Sequence, residues 1–266
     1  MPARLKPRHA FALGLLHGPA ELLPVSSSAH TILVPLLAGW NYAELDPQLR
    51  KAFEVALHAG AGAALAIDMR RELADAAARA SLGDALLIGA SLAPPALAGL
   101  VFAPFVERRL SSPRAIVAGL CAGSLAMLLA DRRPRRRTRA DAHLADGLAL
   151  GLAQAAALAP GVSRSGATLA AARARGFTRA DAESLSRHSG LAVILAACLY
   201  ESARLARRRG AYGSRGAVTL GAAGALLSTS ASLRLARRVV CSPPPLSPFA
   251  FYRLALAALI MRRRAK

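Results

Sequence analysis

The sequence predicts an all-α, polytopic integral membrane protein built on an internal repeat. Three observations carry that reading. Apolar residues fill 54% of the 266 positions against 19% charged, they gather in long charge-free runs, and the arginines fall between those runs. A soluble domain carries roughly a quarter charged residues. Here the mean hydropathy is +0.35 although Lys and Arg number 35 against 15 Asp and Glu, a formal charge of +20. The apolar content excludes disorder, and the ordinary Gly and Pro counts exclude collagen-like or low-complexity chain. Cys121, Cys198 and Cys241 are too few for a disulfide scaffold; lying in or beside apolar runs, they are read as buried thiols.

Taken in order, residues 1–9 are basic, 10–16 apolar and 26–29 small, a layout that imitates a secretory signal peptide. His17, Pro19 and Glu21 interrupt the apolar stretch, and the same design returns later in the chain, so we read it as part of the mature fold. Charge-free runs follow at 22–43, 85–106, 115–130, 147–163 and 216–233, with shorter ones at 55–67, 189–200 and 239–252. Several approach the ~20 apolar residues that cross a bilayer. Arginine clusters stand between them at 70–71, 108–109, 131–139, 207–209, 237–238 and 262–264. Ala, Leu and Gly dominate the runs, and small residues let helices approach closely. Arginines that punctuate apolar spans cannot form one basic face without burying those spans elsewhere. The charge is therefore read as loop arginines at a membrane surface, with no nucleic-acid partner.

The runs repeat. Ala12-Leu-Gly-Leu-Leu-His17 aligns with Ala149-Leu-Gly-Leu-Ala-Gln154, and Pro24-Val-Ser-Ser-Ser-Ala29 with Pro160-Gly-Val-Ser-Arg-Ser-Gly166 after one gap. His58-Ala-Gly60 then pairs with His188-Ser-Gly190. The chain reads as a single membrane domain, 1–266, of two halves near 1–131 and 140–266 joined by the basic linker 132–139. Each half opens with an apolar segment broken by Pro, Gly and serines. Inside a bilayer such breaks survive only where protein or water satisfies the freed backbone groups, and paired breaks mark a binding site.

Helices starting near Ser26–Ser28 and near Ser163–Gly166 present free N–H groups and the positive end of the helix dipole, which suits an anion. Ser26, Ser28, Ser163 and Ser165 add hydroxyl donors, Gly166 admits close approach, and Arg164 adds a planar fork suited to phosphate. Glu21 is an ionisable group inside an apolar segment and hence a functional candidate. His17, four residues earlier, shares its helical face, and His30 follows the serines. The competing reading makes the serines turn or cap residues and Glu21 and Arg164 a buried ion pair. His58 and His188 are read as packed structural histidines, while Glu54 and Glu201 stay unassigned.

The stretch 14–30, with Glu21-Leu-Leu-Pro-Val-Ser-Ser-Ser-Ala-His30, and Pro160-Gly-Val-Ser-Arg-Ser-Gly-Ala-Thr168 resemble the two signature motifs of the undecaprenyl-diphosphate phosphatase family, the bacitracin-resistance type. Phe53-Glu-Val-Ala-Leu-His-Ala-Gly60, residues 94–106 and 128–131, and Phe251-Tyr-Arg253 also resemble family segments, so the likeness covers nearly the whole chain. It implies two inverted repeats, each with a re-entrant broken-helix hairpin plus about three transmembrane helices, in the cell inner membrane. It implies hydrolysis of undecaprenyl diphosphate to undecaprenyl phosphate and inorganic phosphate, recycling the cell-wall lipid carrier and conferring bacitracin resistance. The implied partners are a polyprenyl diphosphate substrate and membrane lipids.

Matched position by position, Glu21, Ser27, His30 and Arg164 take the family's catalytic places, with His17 as an accessory. The departures matter. The family commonly has a second acidic residue where this chain has His17. An acidic pair holds Mg²⁺ or Ca²⁺, the implied cofactor, whereas an imidazole suits such oxygen-seeking ions less well. Ser28 and Ala29 stand where Thr and Gly are usual, and Leu185-Ser-Arg-His188 replaces a more apolar aromatic pattern. The nucleophile is either Ser27, activated by His30 or Glu21, or a water positioned by Glu21. A non-hydrolytic lipid carrier or flippase with the same anion site is the alternative function. Lys and Arg fall almost equally on the two faces of the expected topology, so the inverted arrangement rests on the resemblance.

Overall fold

The computed structural model describes residues 4–132, 136–207, 214–239 and 243–264. Cys241, Arg208, Arg209, positions 133–135 of the basic linker and 240–242 of the 239–252 run lie outside them. The described residues form helices α1 (Pro7–Leu22), α2 (Ser27–Leu37), α3 (Pro47–Asp68), α4 (Arg70–Ala78), α5 (Leu82–Phe105), α6 (Pro113–Ala130), α7 (Leu144–Ala156), α8 (Arg164–Ala174), α9 (Arg179–Arg207), α10 (Arg215–Val239) and α11 (Ser247–Arg264). Among these residues there is no strand, only one isolated bridge. The protein is thus all-α.

Three helices, α5, α6 and α10, are long and apolar enough to cross a membrane, and α3 with α4, bent by 65°, counts as a fourth span if taken together. Runs 22–43 and 147–163 are not spans. The first is interrupted between α1 and α2, and the second continues α7 into a loop. The apolar centres of α9 and α11 are short, because Asp181, Arg187 and Glu201 flank one and Arg253 interrupts the other. Along α5, Leu97, Leu100, Val101, Phe102 and Phe105 are all more than half exposed. An apolar band this continuous is the signature of a surface meant for something other than water.

Two compact units emerge, each assembled from three separate stretches of the chain. In the first, α10 packs on α1 and on α3. Its core gathers Leu13, Tyr42, Leu49, Phe53, Leu57 and Ala225. Helix α3 starts where Asp46 accepts hydrogen bonds from the Gln48 and Leu49 N–H groups at 2.9 and 3.0 Å, with Pro47 in the first helical turn. Such a cap satisfies donors that a helix start leaves without partners. Gly14 is needed for the α1–α10 approach, since a Cβ there collides with the Gly221 carbonyl. The Ser228 hydroxyl donates to the Gly14 carbonyl at 3.0 Å across the same contact.

In the second unit α5 packs on α7, α7 on α8, and α6 on both α8 and α11. The α5–α7 pair repeats the logic of α1–α10, with Gly151, the repeat mate of Gly14, set against the Ala90 carbonyl. Pro95 has no N–H to give the Ser91 carbonyl one turn earlier. The Gln154 amide supplies that donor at 3.1 Å.

The described part of the linker is tied down by its own charge. The Arg137 guanidinium donates to both Asp146 oxygens at 3.0 and 2.7 Å, and stacks 4.3 Å from the Phe177 ring centre. Arg175 donates to Asp146 at 2.6 Å. Asp131, at the end of α6, receives Arg173 and Arg179 at 2.9 Å each and the Leu246 N–H at 3.0 Å. These arginines are structural as well as basic. One expectation fails here: Cys121 is exposed and Cys198 only partly buried. On a membrane helix the outward face is apolar too, so apolar neighbours do not imply an interior position.

Candidate active site

The two proline-marked breaks fold alike. Ser26 precedes α2 with φ 75°, and Ser163 precedes α8 with φ 71°; among the described residues no other non-glycine has positive φ. A side chain held in this left-handed region costs about 1–3 kcal/mol, and such positions concentrate at functional sites. The turn brings each hydroxyl over its helix start. Ser26 Oγ accepts from the Ala29 N–H at 3.4 Å, and Ser163 Oγ accepts from the Gly166 N–H at 3.2 Å. Oγ of Ser26 lies 3.3 Å from that of Ser28, and Oγ of Ser163 lies 3.4 Å from that of Ser165. Ser26, Ser27, Ser28 and Ala29 therefore correspond in order to Ser163, Arg164, Ser165 and Gly166. The cation and the candidate nucleophile occupy the same place, the first residue of a helix, where backbone N–H groups and the dipole favour an anion.

The breaks also meet, though they are more than a hundred residues apart in sequence. Ser165 Oγ donates to the Leu23 carbonyl at 3.2 Å. Arg253 of α11, fully buried, reaches both sides: Nη1 donates to the Pro24 carbonyl at 3.1 Å, and Nη2 to the Gly161 and Val162 carbonyls at 2.8 and 2.9 Å. Nη2 also contacts the Gly119 and Leu120 carbonyls of α6 at 3.4 and 3.2 Å. Interrupting a helix away from water frees carbonyls that must find donors, and the five-donor fork of one arginine supplies several at once. In the sequence Arg253 stands only as part of a family-like segment, without an assigned role. The available signal was an arginine in the middle of an apolar helix.

The Arg164 side chain lies against α9, where a Cβ on Gly190 would collide with Nη1. Thr168 Oγ1, one turn along α8, donates to the Arg164 carbonyl at 2.9 Å and lies 2.6 Å from Ser186 Oγ. Ser27 and Ser165 are buried, as is His30 in α2. His188 is bound up locally, with Nδ1 2.8 Å from the Ser184 carbonyl and 3.1 Å from Arg139.

In the first unit, Glu21 and His17 are buried neighbours one turn apart on α1. Glu21 Oε2 lies 3.7 Å from His17 Nε2 and also 3.7 Å from Nε2 of His58, on α3. His58, set aside on the sequence, thus stands beside Glu21. Its Nδ1 is 2.8 Å from the Glu54 carbonyl. A carbonyl only accepts, so Nδ1 carries a proton and Nε2 is turned to the carboxylate. The two imidazole rings meet edge to face at 4.7 Å. One carboxylate with two imidazoles is a poor match to Mg²⁺ or Ca²⁺, which take oxygen ligands almost exclusively. These donors do not fit that cofactor.

Fold and site together define a class: an all-α polytopic membrane protein in which two similarly broken helical segments, capped by Ser26 and Ser163, meet at a buried arginine. The family model for bacitracin resistance protein BacA matches residues 10–259. The undecaprenyl-diphosphatase of Geobacter metallireducens is 36% identical over 276 aligned residues, covering 97% of this chain and 98% of its own. Those of Geobacter sulfurreducens and Campylobacter concisus are 36% and 33% identical, each covering 95% of this chain and 96% and 97% of their own. The chain belongs to the BacA bacitracin resistance family.

Proposed function

We propose that this protein hydrolyses undecaprenyl diphosphate to undecaprenyl phosphate and inorganic phosphate in the cell inner membrane, returning the lipid carrier to cell-wall synthesis and conferring resistance to bacitracin. The convergence of the two serine-marked helix starts, one of them headed by Arg164, is the observation that carries the reading. Family membership and the names of the relatives supply the substrate.

In this reading Arg164 and the helix-start N–H groups hold the terminal phosphoryl group and offset the charge that spreads over its equatorial oxygens, the main task in phosphoryl transfer. Ser26, Ser28, Ser163 and Ser165 orient those oxygens. Ser27 or a water attacks in line, the bridging P–O bond breaks, and the lipid monophosphate leaves with the electron pair; on the Ser27 route a water then attacks the phosphoserine, which releases inorganic phosphate and returns the serine hydroxyl. Glu21 or His30, of the same motif as Ser27, takes the serine's proton, or Glu21 takes that of the attacking water. The leaving monophosphate is a stable anion, so little proton donation is required. Arg253 touches no reacting atom and serves by positioning both breaks.

The test is phosphate release from a polyprenyl diphosphate by purified protein in detergent, comparing wild type with Arg164→Ala and Glu21→Ala. Release by wild type and its loss in both variants supports the enzyme. A well-folded wild type that binds the lipid and releases no phosphate makes the protein a carrier instead. Acid-stable label on the protein after radiolabelled substrate distinguishes attack by Ser27 from attack by water.

A further inference from the structure

The geometry points to a transition-metal site formed by His17, Glu21 and His58, with Zn²⁺ as the ion it takes. It goes beyond the proposed hydrolysis and does not depend on it. The three residues offer one ligand atom each, all within 4.8 Å of one another, and all three belong to the first unit. With Zn–N and Zn–O bonds of about 2.0–2.1 Å, tetrahedral ligand atoms stand about 3.4 Å apart. The two observed separations from Glu21 Oε2 are 3.7 Å, so small side-chain adjustments close the site. The same separations are too long for direct hydrogen bonds.

Two further observations aim at a ligand. His17 is 2% exposed, and neither of its ring nitrogens has a hydrogen-bond partner. A buried polar atom without a partner is expensive, and a bound cation removes that penalty. His58 is oriented from behind by the Glu54 carbonyl at 2.8 Å. Metal-ligating histidines are held in this way, the far N–H donating to a carbonyl or carboxylate so that the tautomer and ring angle are set. Two imidazoles and a carboxylate favour Zn²⁺ over the hard ions. Three protein ligands leave a fourth position open.

The experiment reads metal content, not turnover. The full chain, its affinity tag removed, is stripped with chelator in detergent, re-equilibrated with equimolar Zn²⁺, Mg²⁺ and Ca²⁺, desalted and analysed by mass spectrometry. The stripped protein is separately loaded with Co²⁺ for absorption spectroscopy. One Zn²⁺ per chain is expected, with intense visible Co²⁺ bands from a four-coordinate site. His17→Gln and His58→Gln, checked for wild-type elution and helicity, should each weaken Zn²⁺ binding at least 100-fold. His17→Glu should trade Zn²⁺ affinity for Mg²⁺ or Ca²⁺. Wild type without Zn²⁺ and without Co²⁺ bands overturns the proposal even if every variant misfolds. Zn²⁺ held equally by folded glutamine variants overturns it as well. A wild type that binds Zn²⁺ yet releases no phosphate in the detergent assay counts against the hydrolysis alone.

Discussion

Replacing Arg253 by methionine isolates the cost of holding two broken helices together. Methionine fills much of the volume and removes every N–H donor. The Leu120 carbonyl keeps the Ser124 hydroxyl at 2.7 Å, but the Pro24, Gly161 and Val162 carbonyls lose the guanidinium that reaches them at 3.1, 2.8 and 2.9 Å. A buried acceptor left without its donor costs about 1–3 kcal/mol, so three give about 3–6 kcal/mol at the lower end of that range. Ending the burial of a charge returns part of this. We take ~3 kcal/mol as the net loss, which at roughly 2–4 °C per kcal/mol for a chain of this size lowers the melting temperature by ~6–12 °C. Trp40 is the sole tryptophan and sits in the other unit. The assay is therefore thermal loss of the monodisperse peak on gel filtration, with hydrogen exchange read on residues 157–166. Arg253→Lys, which keeps the charge but not the fork, should fall between methionine and wild type. A methionine variant that melts within ~2 °C of wild type with unchanged exchange at 157–166 would refute the stapling role.

Gly190→Ala should displace Arg164 while sparing the fold, because the colliding atom is the end of a flexible side chain. Phosphate release is expected to fall about 100-fold, the scale of losing one charge-stabilising donor, with melting changed by less than ~3 °C; wild-type turnover would contradict the placement of Arg164. Ser163→Gly relieves the positive φ at the loss of a cap, whereas Ser163→Ala loses the cap and keeps the strain. Glycine should therefore be near neutral and alanine destabilising by about 1–2 kcal/mol, and equal melting curves would remove the strain argument. Burial pushes the Asp131 carboxyl up, but the Arg179 and Leu246 hydrogen bonds and the charges of Arg179 and Arg173 outweigh it and hold the group below its ordinary value. Its contribution to stability is thus full above the ordinary carboxylate range and is lost as pH falls through the depressed value. Asp131→Asn should lower the melting temperature at neutral pH and flatten its decline in acid. An unaltered acid limb would show that Asp131 does not contribute.

Much of the architecture is local enough to be legible in one dimension. Charge-free runs with arginines between them report helices and membrane, because burying a charge in lipid is costly whatever the partner. The serine breaks were found because Pro and Gly act on the backbone where they stand. His17 and Glu21 were paired correctly because four residues make one turn. Inference failed where a lipid face imitates a protein core, as with Cys121, and it was silent where partners come from distant helices, as with the approach of His58 to Glu21 and of Arg253 to both breaks.

The amino-acid order alone determined the helical class, the two broken segments and the family, all consequences of short-range periodicity and of long specific motifs. Tertiary structure alone decided that α10 packs on α1 and α3, far from it in sequence, and that one buried arginine joins both breaks. It also decided that a second histidine faces Glu21. These depend on which helices become neighbours, and small-residue packing between apolar helices leaves no chain-local mark of its partner.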